Sequence, residues 1–222
     1  MEFKKRAISD LEKKQKCQHI IDTAERLLEG ADFNEITMAK VAAEAGLAKG
    51  TLFIYFQTKE DVFLLLMEQK MTQWSSSFAY KMEVIVKSNK NIQLEEFIDI
   101  IISSLDNKVF IKLLAILDDT LEQNIDFKRA VQHKTFLRGI MVDLGKLIEA
   151  ILPILHEGDG MAILNQLFIC FIGAYKVSNP STIVKLVIQE PGLEMFDRDF
   201  IKILRDMATY HIVGYIAVNR RQ

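Results

Sequence analysis

Apolar residues along this chain recur at spacings of three and four, and strict alternation is scarce, so the pattern predicts helices throughout. Ser9 to Glu12 reads as a capping box opening a first helix, with Ile20, Ile21, Ala24, Leu27 and Leu28 as its apolar face and Gly30 as its stop. Val41, Ala42 and Ala45 give a second helix one narrow apolar face, and the two alanines let a neighbour cross closely. Gly46 ends that helix where a left-handed residue is needed. In a third, Leu47, Leu52 and Phe56 can be buried, leaving Ala48, Lys49, Thr51, Ile54 and Tyr55 on the outer faces. Thr58, with Asp61 three residues on, is a capping-box-like start for a helix running to about Met82, or ~36 Å at 1.5 Å per residue. Turn formers at 88–91, 106–107, 124, 156–160, 178–180 and 190–192 then divide the rest into helices near 93–105, 109–122, 126–155, 161–177, 181–188 and 197–218.

Residues 37 to 61 carry the chemistry. Two short helices joined by a glycine turn make a helix-turn-helix, a device that sets its second helix in the DNA major groove. From Ala45 to Lys59 there are two lysines and no acid. A helix built only for solvent would usually carry Glu or Asp on its outer face, where a phosphate-facing one would be repelled.

In order, Val41-Ala42, Ala45-Gly46, Lys49-Gly50-Thr51-Leu52, Tyr55-Phe56 and Lys59-Glu60-Asp61 resemble the DNA-binding domain of the TetR family of bacterial transcriptional regulators. The likeness spans about residues 9 to 66; beyond it lies only a similarity of length and helical layout. It implies an all-α protein. An N-terminal three-helix helix-turn-helix DNA-binding domain over 1–57 would be joined by the long helix to a C-terminal helical ligand-binding and dimerisation domain over 58–222. Carried over by position, it implies Thr37, Lys49, Thr51, Tyr55 and Lys59 as DNA contacts, with Ala48, Gly50, Phe53 and Ile54 completing the DNA-facing set. There are departures: Phe53 stands where members usually have tyrosine, Ile54 replaces a commonly polar residue, and Gln57 a common proline. These leave the fold reading intact and the operator sequence open.

Composition changes this picture little. Half of the 222 residues are hydrophobic, enough for a small domain and a larger one, and the formal net charge is -2. Residues 1 to 82 hold 12 cations against 12 acids, so the basic signal lies in distribution: residues 1 to 16 carry Lys4, Lys5, Arg6, Lys13, Lys14 and Lys16 against three acids. That tail is a solvated end or an arm along the phosphates. Cys17 and Cys170 stand far apart in sequence and suggest neither a metal pair nor a disulfide framework, which fits a reducing cytoplasmic compartment. No apolar run follows the amino-terminal charges as in a signal peptide, and the most apolar stretch, Met161 to Tyr175, falls short of the ~18 residues of a membrane span.

Two helices are unusually apolar. Met161 to Tyr175 is apolar on nearly every side and must be covered all round, and the last helix offers Phe200, Ile203, Leu204, Met207, Tyr210, His211 and Gly214 at spacings of three and four. Packing against their copies in a homodimer would cover both, and the family resemblance implies a dimer of this kind. Two recognition helices ~34 Å apart would then read the half-sites of a palindromic operator. Aromatic and methionine side chains in the central helices, among them Trp74, Phe78, Phe97, Phe110, Met141, Phe168 and Tyr175, are candidates to line an apolar cavity. The resemblance implies a small hydrophobic effector there, whose binding moves the long helix and lowers operator affinity. Enzyme signatures are weak. Asp118-Asp119-Thr120-Leu121-Glu122 has no second acidic cluster to make a magnesium site, and His19, His133, His156 and His211 show no i, i+4 pair for zinc. The expectation is a repressor without catalytic activity, metal or cofactor; the alternative is a helical lipophile carrier with a non-functional helix-turn-helix.

Overall fold

A computed structural model describes residues 2–88 and 92–219, with side chains over 10–88 and 92–218. Regular structure among these residues is entirely helical: α1 (Glu2–Gly30), α2 (Met38–Glu44), α3 (Lys49–Tyr55), α4 (Lys59–Lys87), α5 (Leu94–Ser103), α6 (Lys108–Ala115), α7 (Phe127–Ile151), α8 (Asp159–Ser178), α9 (Thr182–Val187) and α10 (Phe200–Asn219). Side chains of Lys4, Lys5 and Arg6, and most of the 88–91 turn, lie outside the described residues.

Several boundaries differ from the sequence expectation. Helix α1 begins at Glu2 and runs through the proposed cap at Ser9, because Glu-Phe-Lys-Lys-Arg-Ala contains no breaker to stop it. Helix α4 extends beyond Met82 to Lys87. The single helix expected over 109–122 is interrupted at Ile116 and continues as a π-helical turn, Leu117–Leu121, in which the Leu121 and Glu122 amides donate five residues back to Ile116 and Leu117. That wider turn buries both Leu117 and Leu121 while Asp118 and Asp119 stay exposed. Helix α7 stops at Ile151 and not at 155, since Pro153 disfavours a helical residue before it and has no amide to donate. Helix α8 runs to 20 residues and is long and apolar enough for a membrane crossing by length and composition, more than the sequence reading allowed.

The chain groups into two compact units that cut it differently from a division at residue 58. One holds residues 1–72 and 107–133, the other 73–106 and 134–222, so α4 and α7 each contribute to both. In the first unit, Ile20, Ile21, Ala24 and Leu28 of α1 are buried with Val41, Ala42, Leu52, Phe63 and Met67. Helix α1 packs on α2 and α6, and Lys112 on α6 donates to the Leu28 carbonyl at 2.8 Å, satisfying an end of α1. In the second unit, α10 packs on α8 and α5; its Leu204, Ala208 and Ile212, at a spacing of four, are buried, as are Ile163 and Phe171 of α8 and Phe97 of α5. Helices α7 and α8 meet backbone to backbone at Gly145 and Gly160: a Cβ on Gly160 would run into the Gly145 carbonyl oxygen. Glu149 of α7 accepts from the Gly158 and Gly160 amides at 2.8 and 3.0 Å and so caps the start of α8.

Candidate nucleic-acid interface

The site is built on α2 and α3. Thr37 caps α2, its hydroxyl accepting from the Lys40 amide at 3.2 Å. The helix closes with Gly46 at φ +66°, where the Leu47 amide donates to the Ala42 carbonyl at 2.9 Å and the Gly46 amide to Ala43 at 3.1 Å. This paired closure is a Schellman motif and fixes the angle at which the chain enters α3. His19 of α1 lies 3.1 Å from the Ala45 carbonyl, tying the same turn to α1.

Leu52 and Phe56 anchor α3 inward. Ala48, Lys49, Gly50, Phe53 and Ile54 are exposed, Thr51 and Tyr55 are half-buried at the sides, and no carboxylate stands on this helix. The Lys49 ammonium sits 5.9 Å from the centroid of the Phe53 ring. Lys59 is held differently. Its ammonium donates to the Phe33 and Ile36 carbonyls, each at 3.1 Å, and lies 4.1 Å from the Phe33 ring centroid. It therefore fixes the segment that leads into α2. Immediately beside it, Thr58 and Asp61 form the expected capping box: the Asp61 amide donates to the Thr58 hydroxyl at 3.0 Å and the Thr58 amide to the Asp61 carboxylate at 3.1 Å.

Behind the site the first unit holds a polar cluster that sequence reasoning missed. Glu68 of α4 accepts both guanidinium nitrogens of Arg129 at 2.9 and 2.8 Å and lies 2.8 Å from His133 Nδ1. The other ring nitrogen of His133 is 3.3 Å from Glu122, and His133 is 0% exposed. Burial pushes the Glu68 carboxyl upward, but hydrogen bonds and charge from His133 and Arg129 outweigh it and hold the group below the usual carboxylate range. The available signal was Arg129 and His133 one helical turn apart on α7, which reads as an ion-pairing face once a buried acid opposes it.

The residues expected to contact a ligand are distributed as follows. Phe110 belongs to the first unit, and Trp74, Phe78, Phe97, Met141, Phe168 and Tyr175 to the second. Trp74 stacks on Phe78 with centroids 5.5 Å apart and donates from Nε1 to the Ser104 hydroxyl at 2.9 Å. Tyr175 meets Phe171 and Phe200, the latter edge-on at 5.9 Å. Phe78 and Phe97 are buried; Trp74, Met141, Phe168 and Tyr175 are half-buried.

Comparison with known proteins covers nearly the whole chain. Residues 20–66 match the family model described as "Bacterial regulatory proteins, tetR family", and residues 68–219 match "Tetracyclin repressor-like, C-terminal domain". The fatty acid metabolism regulator protein of Bacillus subtilis is 34% identical over 76 residues, 34% of this chain and 37% of that one. The HTH-type transcriptional regulator EthR of Mycolicibacterium smegmatis is 39% identical over 59 residues, 27% of each chain. The match thus spans little more than a third of the length of the first of these relatives and little more than a quarter of the second. Among solved structures, the fatty acid degradation regulator FadR from Bacillus halodurans superposes with a TM-score of 0.52 at 19% identity, over 87% of this chain and 93% of its own, a likeness of fold.

Proposed function

Because this chain belongs to the TetR family of transcriptional regulators, we propose that it is a cytoplasmic repressor that binds a palindromic operator as a homodimer and is released by a small apolar ligand. The observation that carries the DNA half is the exposed, acid-free face of α3, held on a helix-turn-helix whose every joint is hydrogen-bonded. On this reading Ala48, Lys49, Gly50, Phe53 and Ile54 face the groove, and the hydroxyls of Thr37, Thr51 and Tyr55 with the Lys49 ammonium hold phosphates. Lys59 serves the same interface by fixing the approach to α2.

Support for the dimer comes from what the single chain leaves uncovered. Only 33% of the most apolar window of α8 is buried, and Ile169 of α8 stands exposed together with Met207, Tyr210 and Val213 of α10. Leu204, Ala208 and Ile212 are spent on the chain's own core, so the opposite face of α10 is available to a second copy.

For the ligand, the half-buried Trp74, Met141, Phe168 and Tyr175 offer apolar contact, with Phe78 and Phe97 behind them. The Bacillus subtilis relative acts in fatty acid metabolism by its name, which favours a fatty acyl chain as effector. Helix α4 contributes to both units, so on this reading a displacement of it caused by ligand in the second is felt in the first. The test is selection of bound duplexes from a random pool by the purified protein, followed by titration of the best complex with C12 to C18 fatty acids and their coenzyme A thioesters. A palindrome released by one of these compounds is the expected result. A palindrome that none releases refutes the effector assignment, and an unenriched pool refutes the DNA assignment, leaving a lipophile carrier.

A further inference from the structure

Helix α3 presents an outer face with an unusual composition for a base-reading element. Gly50, Phe53 and Ile54, at i, i+3 and i+4, form one stripe, and the two side chains on it are wholly hydrocarbon. Ile54 is 77% exposed and Phe53 45% exposed. Neither is needed by the fold, since Leu52 and Phe56 already supply the inward anchors. Gly50 is equally unneeded by the protein's packing: a Cβ there meets nothing within 4 Å, although glycine within a helix is less favourable than alanine. A bare backbone beside two exposed apolar side chains suits close approach to an external surface.

In the major groove every base edge presents hydrogen-bonding atoms, and only thymine presents an apolar group, its 5-methyl. Side chains without donors or acceptors can discriminate there by that methyl alone. We infer that Phe53 and Ile54 read thymine 5-methyl groups, so that each operator half-site carries thymines at the positions these side chains meet. The inference rests on the DNA-binding function proposed above and extends it to the kind of sequence recognised.

The test uses a duplex recovered from the random pool and remade with deoxyuridine replacing thymidine at one position at a time, which removes the methyl and leaves every hydrogen-bonding atom in place. One or two positions per half-site are expected to weaken binding about fourfold for each methyl lost, the value of one buried carbon, and about sixteenfold when both half-sites are changed. Ile54→Ala or Phe53→Ala should abolish the difference at its own position, so that thymidine and deoxyuridine duplexes bind that variant equally while its helical content and melting temperature match the parent protein. Deoxyuridine tolerated at every position of an enriched palindrome overturns the inference and leaves the DNA-binding function standing. A methyl dependence that survives both substitutions also overturns it, assigning the readout to other residues. If the pool yields no enriched duplex, the inference and the function beneath it fail together.

Discussion

At the scale of single residues, Lys49 and Glu68 carry opposite kinds of charge work. Lys49 is exposed on α3, so its contribution lies in binding and not in folding. Lys49→Ala should weaken binding to all duplexes alike and reduce the slope of log affinity against log salt by about 1 for each subunit, with an unchanged melting temperature; fluorescence anisotropy over a salt series measures both. Glu68, by contrast, is embedded between Arg129 and His133. Its carboxyl titrates lower in the folded chain than when unfolded, so its stabilisation is present above the unfolded value of about 4.3 and is lost as pH falls through the depressed folded value. Glu68→Gln should therefore cost about 2 kcal/mol at pH 7 and narrow its gap from the parent protein near pH 3, as read by urea unfolding at the two pH values. The residues around α3 were legible in the sequence because turn chemistry is local: Gly46 needs a positive φ and Thr58 needs Asp61 three residues later. The Glu68 cluster was not, because its members lie 61 and 65 residues apart and only the tertiary fold brings them together.

At the scale of elements, the departures from periodicity have identifiable causes. Proline stops α7, a π-helical turn re-phases the chain after α6, and the lack of a breaker lets α1 begin early. Apolar spacing reports which face is buried but is nearly blind to where a helix ends, and a single widened turn does not change the residue types it joins. The tightest joint between elements is the α7–α8 crossing. Gly160→Ala would press a methyl against the Gly145 backbone, which has no flexible end to yield, and should destabilise the protein by about 3 kcal/mol. Gly139→Ala, also on α7, meets open space and should instead stabilise by up to about 1 kcal/mol. Urea denaturation of the two variants separates the steric effect at the α7–α8 crossing from the general effect of replacing a helical glycine.

At the scale of the whole molecule, the proposed repressor pairs two helix-turn-helices through a homodimer. Tyr210 is 73% exposed on the outer face of α10 and should become buried on dimerisation. Tyr210→Glu is therefore expected to give a folded monomer by sedimentation equilibrium, with operator affinity reduced at least a hundredfold because one recognition helix is left to bind one half-site. The apolar surplus of α8 and the last helix, on which the proposed dimer rests, was legible in the sequence; which face of α10 turns outward was not, since α10 carries apolar residues on both sides and only packing shows that Leu204, Ala208 and Ile212 face inward. The most direct measurement is the salt dependence of binding to the duplex enriched from a random pool. A palindrome bound by two subunits, losing about a thousandfold in affinity between 50 and 200 mM salt as some six phosphate contacts would require, is the predicted result. An unenriched pool, or affinity that stays flat across that range, would contradict the account.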